Sequence, residues 1–513
     1  AVVTVPNASL GTNPYSANNE FLAATYNPGG SWIDTNERQA VKTERLQDGG
    51  YIAVWASNSD GWGHGVYAQR FDANDNKVGV ASLVNTTTTG YQYMPEAAAL
   101  SDGGYVVTWS QWQSATQEHE VYMQRFDAND NKVGSENNLN LYHTLHQSHQ
   151  DVSLLANGEL LVVWASQQTG GDFDIIANHF DLNGNALGNE IVVNTTTNDH
   201  QTAPVVATLS SGGYVVMWES WSAADSTDYD LYGQIFDGNS VKIGGEFQVN
   251  TYTLLKQNYV SVIGLIGGGF VAVWQSENQD GSSIGIFQQI FDATGQKIGS
   301  ETKVNAYTSG SQIDPDVIQL SDGGFIVTWA SEGQDGAAHA IVAQRFDSAG
   351  NKVNSEFVVN QAPAGAQITP DVLEMANGDL VFLWQVWGSS GVQEIVGRRF
   401  TASSNGSYML VGDLENNIFV GGDENDQIQS FEGDDILVGD AGDDAIDGGA
   451  GVDVSVYSGN LADYTIHYNN NILTVSDQRV SAPDGTDVLE NIEQLKFADQ
   501  TIDLTNMFPN MEI

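Results

Sequence analysis

The chain consists of short apolar runs separated by polar turns, and the same arrangement occurs seven times. Each unit contains an apolar run that ends on tryptophan, such as the run from Tyr51 to Trp55. These tryptophans follow one another at intervals of about 54 to 56 residues and are Trp55, Trp109, Trp164, Trp218, Trp274, Trp329 and Trp384. A repeat of this length is typical of folds that stack one supersecondary unit after another.

Each unit also carries a second marker, a phenylalanine that is usually followed by aspartate. The phenylalanines are Phe71, Phe126, Phe180, Phe236, Phe291, Phe346 and Phe400. A polar, glycine-containing turn precedes each tryptophan run, and another polar turn follows each phenylalanine up to the sixth unit. Such turns supply the positive φ angles of tight hairpins. The pattern therefore predicts four antiparallel strands in each unit.

A fourth strand that ends on asparagine is visible in six units but not in the seventh. The asparagines lie 14 residues after their phenylalanines and are Asn85, Asn140, Asn194, Asn250, Asn305 and Asn360. Residues 20–27 resemble such a strand, so we expect them to complete the seventh unit and leave no open sheet edge. Four-stranded units of this length are typical of propeller blades. We predict an all-β fold with a seven-bladed β-propeller over residues 1–405.

The composition changes at about residue 411, after which Gly, Asp and Asn recur in a nine-residue register. Glycine lets the backbone turn sharply and point carbonyl groups inward, while an Asp carboxylate completes an oxygen shell. The apolar residues Ile428, Leu437 and Ile446 keep the same register and are expected to pack the interior. Oxygen ligands favour Ca²⁺ over Zn²⁺. Residues 406–513 are therefore predicted to bind calcium.

Residues 411–456 resemble the G-G-x-G-x-D-x-U-x repeats of RTX (haemolysin-type calcium-binding) proteins, and residues 457–464 and 484–497 resemble the segment that caps the roll in serralysin-like RTX proteins. The resemblance implies a parallel β-roll with a β-rich C-terminal cap and several Ca²⁺ ions. It also implies a bacterial protein that reaches the extracellular space or cell surface by type I secretion, through an uncleaved C-terminal address.

The RTX pattern also implies which residues hold calcium. The side-chain ligands would be Asn416, Asp426, Asp435, Asp444 and Asp453, with Gly433, Gly442 and Gly451 at the turns. The first repeat departs from the pattern, because Val411 and Leu414 stand where glycines belong. We therefore expect the first turns to bind calcium weakly or not at all.

The charge balance narrows the possible partners. The chain has 65 Asp and Glu against 17 Lys and Arg, for a net charge of -48. Such a surface should repel nucleic acids and anionic membranes, and no run of about 18 apolar residues predicts a membrane span. The chain has no cysteine, which excludes disulfides, thiolate metal sites and cysteine nucleophiles. Calcium is the partner that this composition favours.

Of the five tryptophans outside the repeat, four are candidate binding residues: Trp62, Trp112, Trp221 and Trp387. We place them in the loops between second and third strands, on the propeller face that these loops share with the connections between blades. An exposed indole can stack on the apolar face of a sugar ring while polar neighbours bond its hydroxyls. The alternative is that these indoles only cover loop ends or pack against the next blade.

The sequence carries no H-E-x-x-H motif or phosphate-cradling loop. It therefore favours a secreted calcium-binding protein whose propeller binds extracellular or cell-surface carbohydrate in the manner of a lectin. Two alternatives stay open. One is a polysaccharide lyase or hydrolase that assembles its acidic residues from several blades. The other is a surface or matrix protein that Ca²⁺ assembles.

Overall fold

The computed structural model is almost entirely β-structure. It describes residues 15–17, 20–26, 40–57, 63–113, 116–142, 145–167, 171–197, 199–221, 229–336, 338–361, 365–387, 393–402, 409–411, 418–422, 425–431, 433–469, 472–479 and 484–504. One short 3-10 helix, Leu461–Asp463, occurs among these residues, and none of their helices is long and apolar enough to cross a membrane. The expected domain boundary near residue 405 lies outside the described residues.

Two strands come first along the chain, β1 (Tyr15–Ala17) and β2 (Phe21–Tyr26). Four antiparallel units, here called blades 1 to 4, follow in chain order. Blade 1 contains β3 (Lys42–Arg45), β4 (Tyr51–Ser57), β5 (Gly65–Phe71) and β6 (Lys77–Leu83). Blade 2 contains β7 (Tyr91–Ala99), β8 (Tyr105–Gln113), β9 (Glu118–Phe126) and β10 (Lys132–Asn138). Blade 3 contains β11 (Gln147–Leu154), β12 (Leu160–Gln167), β13 (Phe173–Phe180) and β14 (Ile191–Val192). Blade 4 contains β15 (His200–Thr208), β16 (Tyr214–Trp221), β17 (Tyr229–Phe236) and β18 (Lys242–Gln248).

Three more blades complete the propeller. Blade 5 contains β19 (Gln257–Gly264), β20 (Phe270–Glu277), β21 (Ile284–Phe291) and β22 (Lys297–Lys303). Blade 6 contains β23 (Gln312–Gln319), β24 (Phe325–Glu332), β25 (His339–Phe346) and β26 (Lys352–Val358). Blade 7 contains β27 (Ala366–Glu374), β28 (Leu380–Trp387) and β29 (Gln393–Ala402). Its fourth strand is β2, which pairs antiparallel with β29 from Phe21 opposite Gly397 to Tyr26 opposite Gln393.

The core lies between the blades. Seven hydrophobic clusters each join two successive blades, and one of them joins blade 7 to blade 1. In that cluster Trp55 and Phe71 pack with Leu383 and Ile395. The seven repeat tryptophans belong to these clusters and are no more than 3% exposed. The ring of blades is therefore closed by hydrophobic packing on every side.

The repeat asparagines extend the sheets beyond their last strands. In all six, the side-chain oxygen accepts a hydrogen bond of 2.7–2.9 Å from a backbone N–H group 19 residues earlier, in the third strand of the same blade. Asn85 binds Val66 in this way, and Asn360 binds Ile341. The side chain thus accepts a hydrogen bond from a buried backbone N–H group that the short fourth strand does not pair.

The remaining strands form the roll and its cap. They are β30 (Met409–Val411), β31 (Ile418–Gly422), β32 (Gln427–Gln429), β33 (Ile436–Asp440), β34 (Ala445–Asp447), β35 (Val454–Val456), β36 (Tyr464–Asn469), β37 (Ile472–Asp477), β38 (Thr486–Glu490), β39 (Gln494–Lys496) and β40 (Thr501–Asp503). Strands 18 residues apart pair in parallel, so that β30, β32 and β34 lie in one sheet and β31, β33 and β35 in another.

The interior of the roll is packed by the apolar residues that keep the nine-residue register. Ile428, Leu437 and Ile446 are buried, with exposures of at most 2%, and they share one cluster with Leu489 and Leu495 of the cap. Their predicted packing role is confirmed. The predicted fold class, an all-β chain with a propeller followed by a parallel roll, is confirmed as well.

Candidate functional site

The aspartates of the roll are linked from one turn to the next by hydrogen bonds. The backbone N–H group of Asp426 donates to Asp444 Oδ1 at 2.6 Å. The backbone N–H group of Asp435 donates to Asp453 Oδ1 at 2.8 Å. The sixth positions of the repeats are thus brought together in two columns, one along each sheet of the roll.

The other carboxylate oxygens of this ladder are left for a further ligand. Asp444 Oδ2 and Asp453 Oδ2 are buried and accept no hydrogen bond from the described residues. Burial, followed by the charge of Asp426, raises the pKa of Asp444 to about 7. Burial, followed by the charge of Asp435, raises the pKa of Asp453 to about 7 as well. A buried carboxylate of this kind requires either a proton or a cation. Because the donor is a hard oxygen, Ca²⁺ fits it.

Glycines keep the space around these carboxylates open. A Cβ atom at Gly439 would lie 2.0 Å from Asp444 Oδ2, and one at Gly451 would lie 1.8 Å from the carbonyl oxygen of Gly433. The predicted turn residues Gly433, Gly442 and Gly451 have φ angles of 120°, 128° and 153°. Residues other than glycine rarely adopt such backbone angles. The described residues hold no group of three or more His, Cys, Asp or Glu side chains that could bind a metal. Asn416 lies outside the described residues.

Two acidic residues of the cap continue the ladder, and sequence reasoning missed them. The backbone N–H group of Asp444 donates to Asp487 Oδ1 at 2.9 Å, and that of Asp453 donates to Glu493 Oε2 at 2.6 Å. Burial and the nearby Asp444 raise the pKa of Asp487 to about 8. A signal was present for Asp487, because a leucine follows it two positions later, as an isoleucine follows Asp444.

A second acidic site lies on the axis of the propeller. A cavity of about 160 Å³ is lined by the innermost strand of every blade. Its polar lining includes Lys42, Glu96, Asp151, Ser261 and Asp316. Asp371 of blade 7 lies beside it, with its carboxylate 3.5 Å from Lys42 Nζ. The repeat thus places one lysine and four carboxylates around one axis.

A bulge in the innermost strands directs these side chains. In six blades the register shifts just before the axial position. A non-glycine residue with positive φ lies two positions ahead of that position: Met94, His149, Ala203, Tyr259, Asp314 and Thr369. Bulges re-aim side chains and are common beside functional sites. A glutamine, here called the repeat glutamine, lies near the start of the innermost strand in blades 2 to 7: Gln92, Gln147, Gln201, Gln257, Gln312 and Gln367. The signal in the sequence is the acidic residue that follows it four positions later in four of these blades, as in Gln312 and Asp316.

The axial charges stabilise one another. Burial disfavours the protonated amine of Lys42, but the surrounding carboxylates outweigh it and raise its pKa overall. Burial, followed by the charge of Asp316, raises the pKa of Asp371 to about 7. Asp371 also accepts hydrogen bonds from the backbone and side chain of Thr43. The raised pKa favours the protonated amine, so Lys42 acts as the counter-charge of the surrounding carboxylates.

Three of the four extra tryptophans are described, and Trp62 lies outside the described residues. Trp112, Trp221 and Trp387 lie at the ends of the second strands β8, β16 and β28, and not in the loops where the sequence analysis placed them. All three are half-buried. They occupy the same position in their blades, three residues after the repeat tryptophan.

Imidazole rings accompany two of these indoles. The ring centroid of Trp112 lies 4.7 Å from that of His119 and 6.1 Å from that of His146, and Trp221 stacks on His200 at 4.6 Å. Burial, followed by the charge of His146, lowers the pKa of His119 to about 4. His119 therefore stays neutral at physiological pH.

Comparison with known proteins identifies the repeats of the roll. Residues 411–446 and 420–455 match the sequence model of the RTX calcium-binding nonapeptide repeat, in four copies. No curated protein matches this chain. Similar solved structures include a protein of unknown function from Dyadobacter fermentans, at 9% identity, with coverage of 76% of this chain and 99% of that chain and a TM-score of 0.45.

Two further solved structures resemble the chain at similar levels. The alpha-L-arabinanase of Penicillium chrysogenum is 12% identical, with coverage of 61% of this chain and 94% of that chain and a TM-score of 0.42. The alpha-L-arabinofuranosidase Arb93A of Fusarium graminearum is 12% identical, with coverage of 78% and 99% and a TM-score of 0.41. The match to the RTX repeat model, and not these structures, shows that residues 411–455 carry calcium-binding RTX repeats.

Proposed function

We propose that this protein is secreted, that calcium completes its roll outside the cell, and that its propeller binds carbohydrate through the face that carries Trp112, Trp221 and Trp387. The observation that carries the carbohydrate part is the placement of these indoles. They occupy one position of the blade, yet blades 3, 5 and 6 have Gln167, Glu277 and Glu332 there. The fold does not require an aromatic residue at this position, so binding explains it better than packing.

The calcium part rests on the ladder of aspartates. Asp444 and Asp453 would hold Ca²⁺ through their free Oδ2 atoms, and Asp426 and Asp435 occupy the same register one turn earlier. Bound calcium neutralises these buried carboxylates. Without it they repel one another at neutral pH, so folding of the roll is coupled to calcium. Millimolar extracellular Ca²⁺ would meet this requirement.

The test incubates the calcium-loaded full chain with insoluble polysaccharides and scores retained protein and released sugar ends in the same tubes. We expect retention without release. Replacing Trp112, Trp221 and Trp387 together by Ala should abolish retention, while the matched triple change of Gln167, Glu277 and Glu332 to Ala should not. Equal retention of the two triple variants contradicts a role for the indoles.

The other outcomes of this test point to the two alternatives. New reducing or unsaturated ends would establish a hydrolase or lyase, and Asp316 and Asp371 beside the axial cavity would then be the first residues to replace. Neither retention nor release, together with calcium-dependent light scattering, would favour assembly into a surface or matrix structure. In that case Ca²⁺ would bridge acidic chains.

A further inference from the structure

The rim between blades is built from a recurring pair of residues on the face that carries the extra tryptophans. One member lies at the start of the third strand, and the other precedes the repeat glutamine of the next blade. At the first three interfaces both members are rings: His64 with Tyr91 at 5.8 Å, His119 with His146 at 5.1 Å, and Phe173 with His200 at 5.7 Å.

The ring pairing ends beyond blade 4. At the interface of blades 4 and 5, Lys256 Nζ lies 5.9 Å from the ring centroid of Tyr229. At the next interface the pair is Ile284 and Ser311, which form only a backbone bridge. Among the described residues, the rim of blades 1 to 4 therefore differs in chemistry from the rim of blades 5 and 6.

Two of the tryptophans, Trp112 and Trp221, each lie among several of these aromatic and imidazole rings. The first ring cluster contains Trp112 with Tyr91, His119 and His146; Tyr91 and His119 are its cross-strand partners. The second ring cluster contains Trp221 with Phe173, His200 and Tyr229; His200 and Tyr229 are its cross-strand partners. Among the described residues, Trp387 contacts no other aromatic or imidazole ring. The two clusters thus share an arrangement that blade 7 lacks.

The ring clusters retain both apolar surface and unused polar groups. Tyr91 is 49% exposed, and Tyr142 and Leu254 on neighbouring connections are 68% and 64% exposed. His146 Nδ1 in the first cluster and Trp221 Nε1 in the second have no hydrogen-bond partner among the described residues. Both atoms are buried, as is the equally unpartnered Trp387 Nε1, so the exposed ring faces are what the clusters offer to a ligand. Stacking faces of this kind suit sugar rings.

The negative charge of the protein determines which class of polysaccharide can bind to the ring clusters. With a net charge of -48, the protein repels polyanions at long range, and Asp172 lies 3.9 Å from His200 in the second ring cluster. Uronate or sulfated chains would meet this repulsion, whereas neutral chains would not. Two clusters on different blades also gain from a ligand long enough to reach both, since the second contact becomes intramolecular.

We infer that the two ring clusters are two subsites for one uncharged polysaccharide chain that runs across blades 2 to 4, which narrows the binding residues proposed above to Trp112 and Trp221 and leaves Trp387 outside the site. The inference rests on the proposed carbohydrate binding and assigns it a location and a class of ligand.

The test uses the calcium-loaded full chain with neutral probes (dextran, laminarin and linear arabinan) and charged probes (alginate and polygalacturonate). Affinity is then measured for Trp112→Ala, Trp221→Ala and Trp387→Ala on the neutral polymer that retains the wild type. We expect a loss of about tenfold for each of the first two variants, from lost stacking, and a change of less than about twofold for Trp387→Ala. Oligosaccharides of that polymer should bind more tightly with length until both clusters are reached.

Two controls separate binding from folding. Trp112→Phe and Trp221→Phe keep a stacking ring and should restore most of the affinity, and thermal unfolding of every variant reports its stability. If Trp387→Ala weakens binding as much as Trp112→Ala does, the two-subsite arrangement is wrong. If alginate or polygalacturonate retains the protein preferentially, the assignment of an uncharged polysaccharide is wrong. If no polymer retains the wild type, the proposed function itself fails.

Discussion

The side chain of Asn305, two residues beyond the last strand of blade 5, uses both ends of its amide. Its oxygen accepts from the backbone N–H group of Ile286 at 2.8 Å, while its nitrogen donates to the Tyr307 carbonyl at 2.8 Å and to Gln312 Oε1 at 3.0 Å. Gln312 belongs to the next blade. One buried residue thus finishes a sheet and ties it to its neighbour.

Replacing Asn305 by Ala should lower the free energy of unfolding by about 2–3 kcal/mol, because buried donors and acceptors lose their partners. Chemical unfolding followed by tryptophan fluorescence measures this change. The same substitution at Asn74, which lies in an exposed turn, should change stability by less than about 0.5 kcal/mol. Similar effects of the two changes would contradict the capping role.

His119 makes a pH-dependent contribution to stability. Its pKa is about 4 in the folded protein and about 6.5 when unfolded, so the unfolded chain binds more protons between these values. Stability from this group is therefore present above pH 6.5 and is lost as the pH falls towards 4. Compared with His119→Phe, the wild type should lose about 1–2 kcal/mol more over this range, after allowance for solvent screening. Parallel urea-unfolding profiles of the two proteins would rule out this contribution.

At the scale of elements, the roll combines a packed apolar interior with columns of carboxylates. Ile428, Leu437 and Ile446 supply the packing, whereas Asp444 and Asp453 add charge that the described residues only partly satisfy. The packing drives the roll to fold and the charge opposes it until a cation binds. All twelve tryptophans lie at or before residue 387, so indole fluorescence reports the propeller and not the roll.

Asp444→Asn should have opposite effects with and without calcium. In a chelator it removes a buried charge, so the calorimetric transition of the roll should occur at the same or a higher temperature. With calcium it removes a ligand, so the affinity measured by titration calorimetry should fall about tenfold or more. Glu490→Gln, which removes an exposed charge from the same sheet, should do neither. A lower transition temperature in the chelator would instead indicate a structural role for the carboxylate.

For the whole molecule, the decisive contact is the one that joins the last blade to the first. Arg399 of blade 7 binds Asp75 of blade 1 through Nε and Nη2, both at 2.7 Å, and binds Asp379 of its own blade at 2.9 Å. Glu20, just before the N-terminal strand that completes blade 7, makes a further contact with Gln361 in the connection between blades 6 and 7. In the pairs Arg399–Asp75 and Glu20–Gln361, the two residues are more than 300 positions apart along the chain.

Arg399→Leu should lower the free energy of unfolding by about 3–5 kcal/mol, because it leaves the buried Asp379 and the 14% exposed Asp75 without their counter-charge. Thermal unfolding followed by tryptophan fluorescence measures this effect. Arg125→Leu is the matched control, since Arg125 holds the same place in blade 2 but pairs with Asp102, whose side chain is 43% exposed. It should cost about 1 kcal/mol or less. Equal losses would mean that closure of the ring contributes no special stability.

The sequence by itself determined the strands, the blade repeat, the roll and the aspartates of its ladder, because each follows from a local period of apolar, glycine and acidic positions. The tertiary structure decided the rest. The axial ring of Lys42 and its carboxylates, the pairing of Trp112 with His146, and the continuation of the ladder by Asp487 all join residues from different blades or turns. A periodic pattern gives the position of each residue within its unit, but only packing of the units determines which of them meet.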